Sequence, residues 1–97
     1  MHSGRLITFE GLDGCGKTTQ LEKAKDWLTE QGYDVLKTRQ PGGTKIGRQI
    51  RSILLDPEHE ELQPESELLL YLSDRIQHIQ ETIIPAKSAG KIVLCDR

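Results

Sequence analysis

Short apolar runs alternate along this chain with amphipathic stretches. Arg5-Leu6-Ile7-Thr8-Phe9 is apolar, β-branched and aromatic, and predicts a buried parallel strand over residues 5–10. Leu21, Ala24 and Leu28 then recur at i, i+3 and i+7, with Glu22, Lys23, Lys25 and Asp26 on the other faces. That spacing predicts an amphipathic helix over 17–31, stopped by Gly32. Residues 33–38 read as a second strand, and Pro41-Gly42-Gly43 marks a turn inside a loop at 39–44. A helix over 45–55 carries Ile46, Ile50, Ile53 and Leu54 on one face. The acidic stretch 56–61 reads as an exposed connector. A longer helix begins near Pro64, which suits a first-turn position. Leu68, Leu72, Ile76, Ile79 and Ile83 form its expected core-facing stripe, and Pro85 is expected to break or kink it. Gly90 ends the last helical turn, and the continuous apolar run at 91–95 predicts a third buried strand.

The order β–loop–α–β–loop–α–α–β argues for an α/β fold, a parallel sheet with flanking helices and right-handed crossovers. In such folds ligands bind at the carboxyl ends of the strands. Residues 11–18, 39–44 and 96–97 all fall there, each after one of the expected strands. Ninety-seven residues allow at most one small domain, and no repeat or linker divides them. A formal net charge of −2, with scattered Lys and Arg, implies no bulk attraction to nucleic acid or to an anionic membrane. No apolar run has the length of a membrane span, and the N-terminus leads into a strand rather than a signal peptide. The two cysteines, Cys15 and Cys95, make neither a disulfide framework nor a metal-ligand pattern, so a reducing cytoplasm fits best. Cys95 reads as a small core residue, and a functional pairing with Cys15 is not expected.

The chemistry concentrates in Gly11-Leu12-Asp13-Gly14-Cys15-Gly16-Lys17-Thr18, which fits G-x-x-x-x-G-K-[ST]. Its glycines let backbone N–H groups turn inward as an anion nest, and the following helix aims its positive dipole end at phosphates. Lys17 is placed to reach the β- and γ-phosphates of a triphosphate, and the Thr18 hydroxyl to ligate Mg²⁺. Asp96, after an apolar strand, has the form of the second acidic motif that holds Mg²⁺ in phosphate-loop proteins. Arg97 beside it, with Arg39 and Arg51, are candidates for a second phosphate, since a guanidinium grips phosphate bidentately. Asp13, inside the loop, is a carboxylate beside the transferred group. Tyr71 and Arg75, i and i+4 on the long helix, offer an aromatic ring and a guanidinium to a nucleobase. Each has a plainer alternative: a strand-end carboxylate, solvated arginines, a tyrosine packed over leucine. His59 and His78 show no metal-ligand spacing and are expected to be exposed.

Four segments resemble thymidylate kinases. Phe9 through Gln20 is similar to the family's opening, and Thr38-Arg39-Gln40-Pro41-Gly42-Gly43-Thr44 to its T-R-E-P-G-G-T segment. Glu67 through Arg75 resembles its base-binding helix, and Ile84-Pro85-Ala86 through Val93-Leu94-Cys95-Asp96-Arg97 its return to the third strand. The resemblance implies the P-loop, nucleoside monophosphate kinase-like fold, with the third strand between the second and the first. It implies Mg²⁺-dependent transfer of the ATP γ-phosphoryl group to dTMP by a cytoplasmic homodimer. By position, Gly11, Leu12, Asp13, Gly14, Cys15, Gly16, Lys17, Thr18 and Thr19 would hold the ATP phosphates, and Thr18 and Asp96 the metal. Asp13, Arg39, Arg51, Tyr71, Arg75 and Arg97 would bind dTMP, with Asp13, Lys17 and Arg97 catalytic. Tyr71 stands where the family usually has Phe. Gln40 replaces the usual Glu, which keeps the shape and loses a charge. Gly14 stands where some members carry an arginine, so the resemblance is to the bacterial type, whose catalytic arginine lies in a lid. The chain matches the N-terminal part of one kinase domain, without lid or C-terminal strands, and is expected to be nearly inactive alone. The alternatives are another small P-loop kinase or a non-catalytic nucleotide-binding fragment. A GTPase-like switch would need an N/T-K-x-D motif, which is missing from this sequence.

Overall fold

The apolar run at 92–95 becomes the centre of the sheet. A computed structural model describes residues 4–11 and 16–97. Its elements are β1 (Arg5–Phe9), α1 (Lys17–Glu30), β2 (Val35–Arg39), α2 (Lys45–Leu55) and α3 (Pro64–His78). A π-helical turn over Ile79–Ile83, α4 (Ile84–Ser88) and β3 (Ile92–Asp96) complete them. The three strands run parallel in the order β1-β3-β2, as the resemblance implied.

Strand alternation sends β3 side chains to two cores. Ile92 and Leu94 pack with Leu21, Phe9, Ala24, Leu28 and Val35 on the α1 side. Val93 packs with Ile83, Ala86, Leu36 and Ile79 on the opposite side. Val93, Leu94 and Cys95 are sealed from solvent, so the expectation of a buried third strand and a core Cys95 holds. Burying a side chain of this size contributes on the order of 2 kcal/mol.

Both returns from helix to strand use one device. After α1, Tyr33 N–H donates to Leu28 O and Gly32 N–H to Thr29 O. After α4, Lys91 N–H donates to Ala86 O and Gly90 N–H to Lys87 O. These are Schellman caps, and they place Gly32 and Gly90 at φ of +93° and +81°, where a Cβ is penalised. α2 opens on Thr44, whose hydroxyl accepts from Gly47 N–H at 2.8 Å.

Three expectations are corrected. Of the break or kink expected at Pro85, the break does not occur. The backbone stays right-handed helical at the flanking residues His78, Ile79, Ile83 and Ile84. The wider π turn before Pro85 accommodates the missing N–H and the bulk of the ring. The stripe at 68, 72 and 76 is not core. Leu68, Leu72 and Ile76 are exposed, Ile79 is half-buried and Ile83 is buried. The reason is that α3 leans on α2, while the π turn and α4 cover the sheet. β1 is an edge strand, and Arg5 through Thr8 are exposed, with only Phe9 half-buried against α1. The radius of gyration, 15.0 Å, exceeds the value of about 13 Å for a compact domain of this length, as a thin three-stranded layer with uncovered faces requires.

Replacing Thr44 by alanine removes the acceptor for Gly47 N–H and should lower the unfolding free energy by about 1 kcal/mol. The measurement is a shifted urea midpoint at unchanged slope. Thr44→Ser should keep most of the stability.

Candidate active site

Sheet register sorts the polar residues at the carboxyl ends. Phe9, Asp96 and Arg39 form one row across the three strands. Asp96 follows Ile92 and Leu94 in phase and so faces α1. Lys17, the first residue of α1, meets it there, with Nζ 2.7 Å from Oδ1. The same ammonium donates to the carbonyl oxygens of Arg97 at 2.8 Å and Gly11 at 3.3 Å. Asp96 Oδ1 is sealed from solvent, and among the described residues it accepts no hydrogen bond of regular geometry.

A carboxylate held by an ammonium is a place for positive charge, and a cation could take it once the ammonium turned to another anion. Thr18 follows Lys17 on the exposed start of α1, and its hydroxyl is a hard oxygen donor. No group of three or more His, Cys, Asp or Glu side chains converges among the described residues. A divalent cation at Asp96 would therefore draw most of its shell from phosphate and water, as Mg²⁺ commonly does.

The arginines gather around this row. Arg39 Nε donates to Gly42 O at 3.3 Å, inside its own loop. Arg97 Nη1 lies 3.2 Å from Glu10 Oε1. The Arg51 side chain passes so close to Gly42 that a Cβ there would sit 2.7 Å from its Cδ. Lys17, Arg39, Arg51, Tyr71, Asp96 and Arg97 all line one cleft of about 290 Å³. Gln40, Pro41, Tyr71 and Arg97 continue into an adjoining cleft of about 400 Å³, which adds Arg75 and Leu68. Sequence reasoning thus named residues that the fold brings together. Gly11, Gly16 and Thr19 lie at the exposed mouth between β1 and α1. Leu12, Asp13, Gly14 and Cys15 lie outside the described residues.

Two residues beneath the site were missed or misread. His78 is not exposed: it is fully buried, whereas His59 is exposed among Asp56 and Glu61. Its Nε2 lies 2.6 Å from Thr38 Oγ1 and its Nδ1 2.7 Å from Gln40 Nε2. Asp74, one turn earlier, is 1% exposed and accepts from Gly42 N–H at 3.0 Å. The signal was available in the helical spacing. Tyr71, Asp74, Arg75 and His78 stand at i, i+3, i+4 and i+7, so they share one face. Gln40, where the T-R-E-P-G-G-T pattern has Glu, turns its amide to His78.

A three-stranded parallel sheet, a glycine-lysine turn between strand and helix, and a strand-end carboxylate paired to that lysine define a P-loop nucleotide-binding α/β fold. A thymidylate kinase family profile matches residues 9–97. The chain belongs to the thymidylate kinase family. It is 55% identical over 95 residues to the thymidylate kinase of Exiguobacterium sibiricum, covering 98% of this chain and 45% of that protein. To the thymidylate kinase of a Geobacillus species it is 56% identical over 94 residues, covering 97% and 45%. The crystal structure of thymidylate kinase from Ehrlichia chaffeensis superposes with a TM-score of 0.85 at 40% identity, covering 98% of this chain and 53% of that one. The chain thus spans about half the length of the relatives it matches.

Burial holds the His78 imidazole below its ordinary pKa of 6.5, with Arg97 acting in the same direction and Asp74 opposing. The unfolded chain then binds the proton more readily than the native one, so stability falls as pH drops below about 6.5 and levels off once the native ring protonates. Urea midpoints from pH 7.5 to 5 should show this slope, and His78→Gln should flatten it. Asp74→Ala orphans the Gly42 N–H and should cost about 1–3 kcal/mol, while Asp74→Asn, which keeps an acceptor, should cost less.

Proposed function

We propose that residues 1–97 form the N-terminal part of one thymidylate kinase domain, which transfers the γ-phosphoryl group of Mg-ATP to dTMP and yields dTDP and ADP. The observation that carries this reading is the shared cleft: a phosphate-loop lysine, a metal-type carboxylate, three arginines and a tyrosine open onto one space. A site for one triphosphate needs the lysine and the carboxylate. The additional arginines answer a second phosphorylated substrate.

In this reading Lys17 turns from Asp96 to the β- and γ-phosphates of ATP. Thr18 and Asp96 would hold Mg²⁺, which when bound would supply charge neutralisation for the transfer. Gly11, Gly16 and Thr19, with Leu12, Gly14 and Cys15, cradle the ATP phosphates. Arg39, Arg51 and Arg97 surround the dTMP phosphate and aim its oxygen along the line of transfer. Tyr71 stacks on thymine and Arg75 hydrogen-bonds it, at the junction of the two clefts. Asp13 meets the sugar hydroxyl. Catalysis by such a set is positioning and electrostatics, without a covalent intermediate.

The working enzyme in this reading is a cytoplasmic homodimer. Ile46 and Ile53 on α2, and Leu69 and Ile76 on α3, are exposed apolar side chains repeating every seven residues, as a helix face awaiting a partner presents them. No helix among the described residues is long and apolar enough to cross a membrane.

The test joins residues 1–97 to the C-terminal part of the Exiguobacterium sibiricum relative and measures ADP formation with dTMP, CMP or AMP. Turnover with dTMP alone is expected. Phosphorylation of CMP or AMP instead would overturn the assignment of the acceptor. Lys17→Met in the joined protein should lower kcat by about 10²–10³-fold, the scale for losing one preorganised charge partner of the transferred group. Residues 1–97 alone should be slower than the joined protein by about 10³-fold or more, as for loss of a transition-state arginine.

A further inference from the structure

Thr38 and Gln40 flank Arg39 in sequence; strand alternation turns Thr38 toward α3, and Gln40, just past the strand, borders the cleft while its amide reaches the same helix. Both end on the same imidazole. His78 Nε2 meets Thr38 Oγ1 at 2.6 Å, and Nδ1 meets the Gln40 side-chain nitrogen at 2.7 Å. The loop closes directly over the ring. A Cβ on Gly43 would stand 2.7 Å from His78 Cδ2 and Nε2 and 2.5 Å from Arg39 O, so only glycine fits between the histidine and the arginine backbone. One turn earlier Asp74 takes the Gly42 N–H, and a Cβ on Gly47 would lie 2.4 Å from its Oδ1. Thus α3 grips the segment 38–43 through two buried polar side chains, and Arg39, between the gripped residues, lines the cleft together with Gln40 and Pro41.

The partners define the proton as well as the position. An amide nitrogen only donates, so the Gln40 side chain requires a bare Nδ1 on His78. Nε2 then carries the hydrogen and donates to the Thr38 hydroxyl.

We propose that His78 is a positioning residue for the acceptor phosphate: held as the Nε2–H tautomer by Gln40, it fixes Thr38 and Gln40 and thereby the backbone from which Arg39 reaches the cleft. This rests on the proposed function for the identity of the phosphate, and on hydrogen-bond geometry alone for the tautomer. It also gives Gln40 a purpose of its own. The usual Glu, an acceptor only, would demand a proton on Nδ1, whereas the amide nitrogen leaves Nδ1 bare.

The experiment uses the joined full-length protein in two measurements. Steady-state kinetics follow His78→Phe, which keeps a ring of similar shape without nitrogens. KM for the nucleoside monophosphate should rise about tenfold, the scale of losing one or two such hydrogen bonds. KM for ATP should stay within about twofold, because the lost contacts serve the acceptor side of the cleft, while kcat should fall as far as Arg39 loses its aim on the acceptor. His78→Gln, with an amide able to reach Thr38, should recover part of the loss. A lowered melting temperature with the monophosphate KM unmoved would reduce His78 to a structural residue and overturn the proposal. Long-range ¹⁵N–¹H NMR of the His78 ring should show Nδ1 without hydrogen, and Gln40→Glu should bring a proton onto it. A protonated Nδ1 in the unsubstituted protein, or no change in Gln40→Glu, would also overturn it. If the joined protein turns over CMP or AMP, the kinetic comparison runs on that monophosphate, and the acceptor assignment fails while the positioning role stands. If it turns over none, the proposed function fails, and the NMR result decides the tautomer by itself.

Discussion

The arrangement depends on β3 being paired on both edges and covered on both faces. Parallel pairing brings the carboxyl ends of β1 and β2 level with Asp96, so three segments distant in sequence emerge at one rim. The full burial of Val93, Leu94 and Cys95 fixes the strand's rotation. A one-residue slip would exchange its two cores and carry Asp96 to the α3 side, away from Lys17. The hydrophobic pattern of five residues therefore sets which face of the sheet receives the carboxylate.

The same alternation gives β2 its double duty. Val35, Lys37 and Arg39 follow the α1 side, where Lys37 pairs with Glu22. Leu36 and Thr38 follow the other, where Leu36 joins the second core and Thr38 meets His78. A strand with one face in water could vary Thr38 freely. Here its hydroxyl must answer a buried imidazole, because an unpaired polar group at that depth costs more than the bond itself contributes.

Much of this was legible in the chain. Apolar runs located β1, β2 and β3 and period-3.6 patterns α1 and α2, and the Tyr71–Arg75 spacing put both side chains on one helix face, which the fold turns to a cleft. The misreadings share a cause. Leu68, Leu72 and Ile76 satisfy helical periodicity, but periodicity states only that side chains share a face, not what lies opposite. The neighbour of α3 is α2, with the 38–43 loop above Asp74 and His78, and that partner choice is a tertiary fact. The π turn was hidden for a similar reason. Pro85 removes one helical bond in any context, and whether the chain then ends or widens depends on the cover it gives to Val93. His78 carries no local signal of burial, since a histidine is buried when its two nitrogens find partners. Those partners come from the end of β2 and the loop after it, 40 and 38 residues earlier.

Lys17 occupies the centre of this geometry. Among the described residues its ammonium reaches a carboxylate of β3 and the carbonyl oxygens of Arg97, the residue after β3, and of Gly11, two residues beyond β1. A single positive charge there ties together the three backbone segments that converge on the rim. The contact with Asp96 is short. In the proposed function each group would take another partner, phosphate oxygens for the ammonium and a divalent cation for the carboxylate, and exchanging one ion pair for two would keep every charge partnered. A hydrophobic filling of the same space would be tighter and would have nothing to give up. The cost of keeping two partly buried ions together is therefore best understood through this exchange, because an ion pair in such surroundings is weak evidence for stability alone.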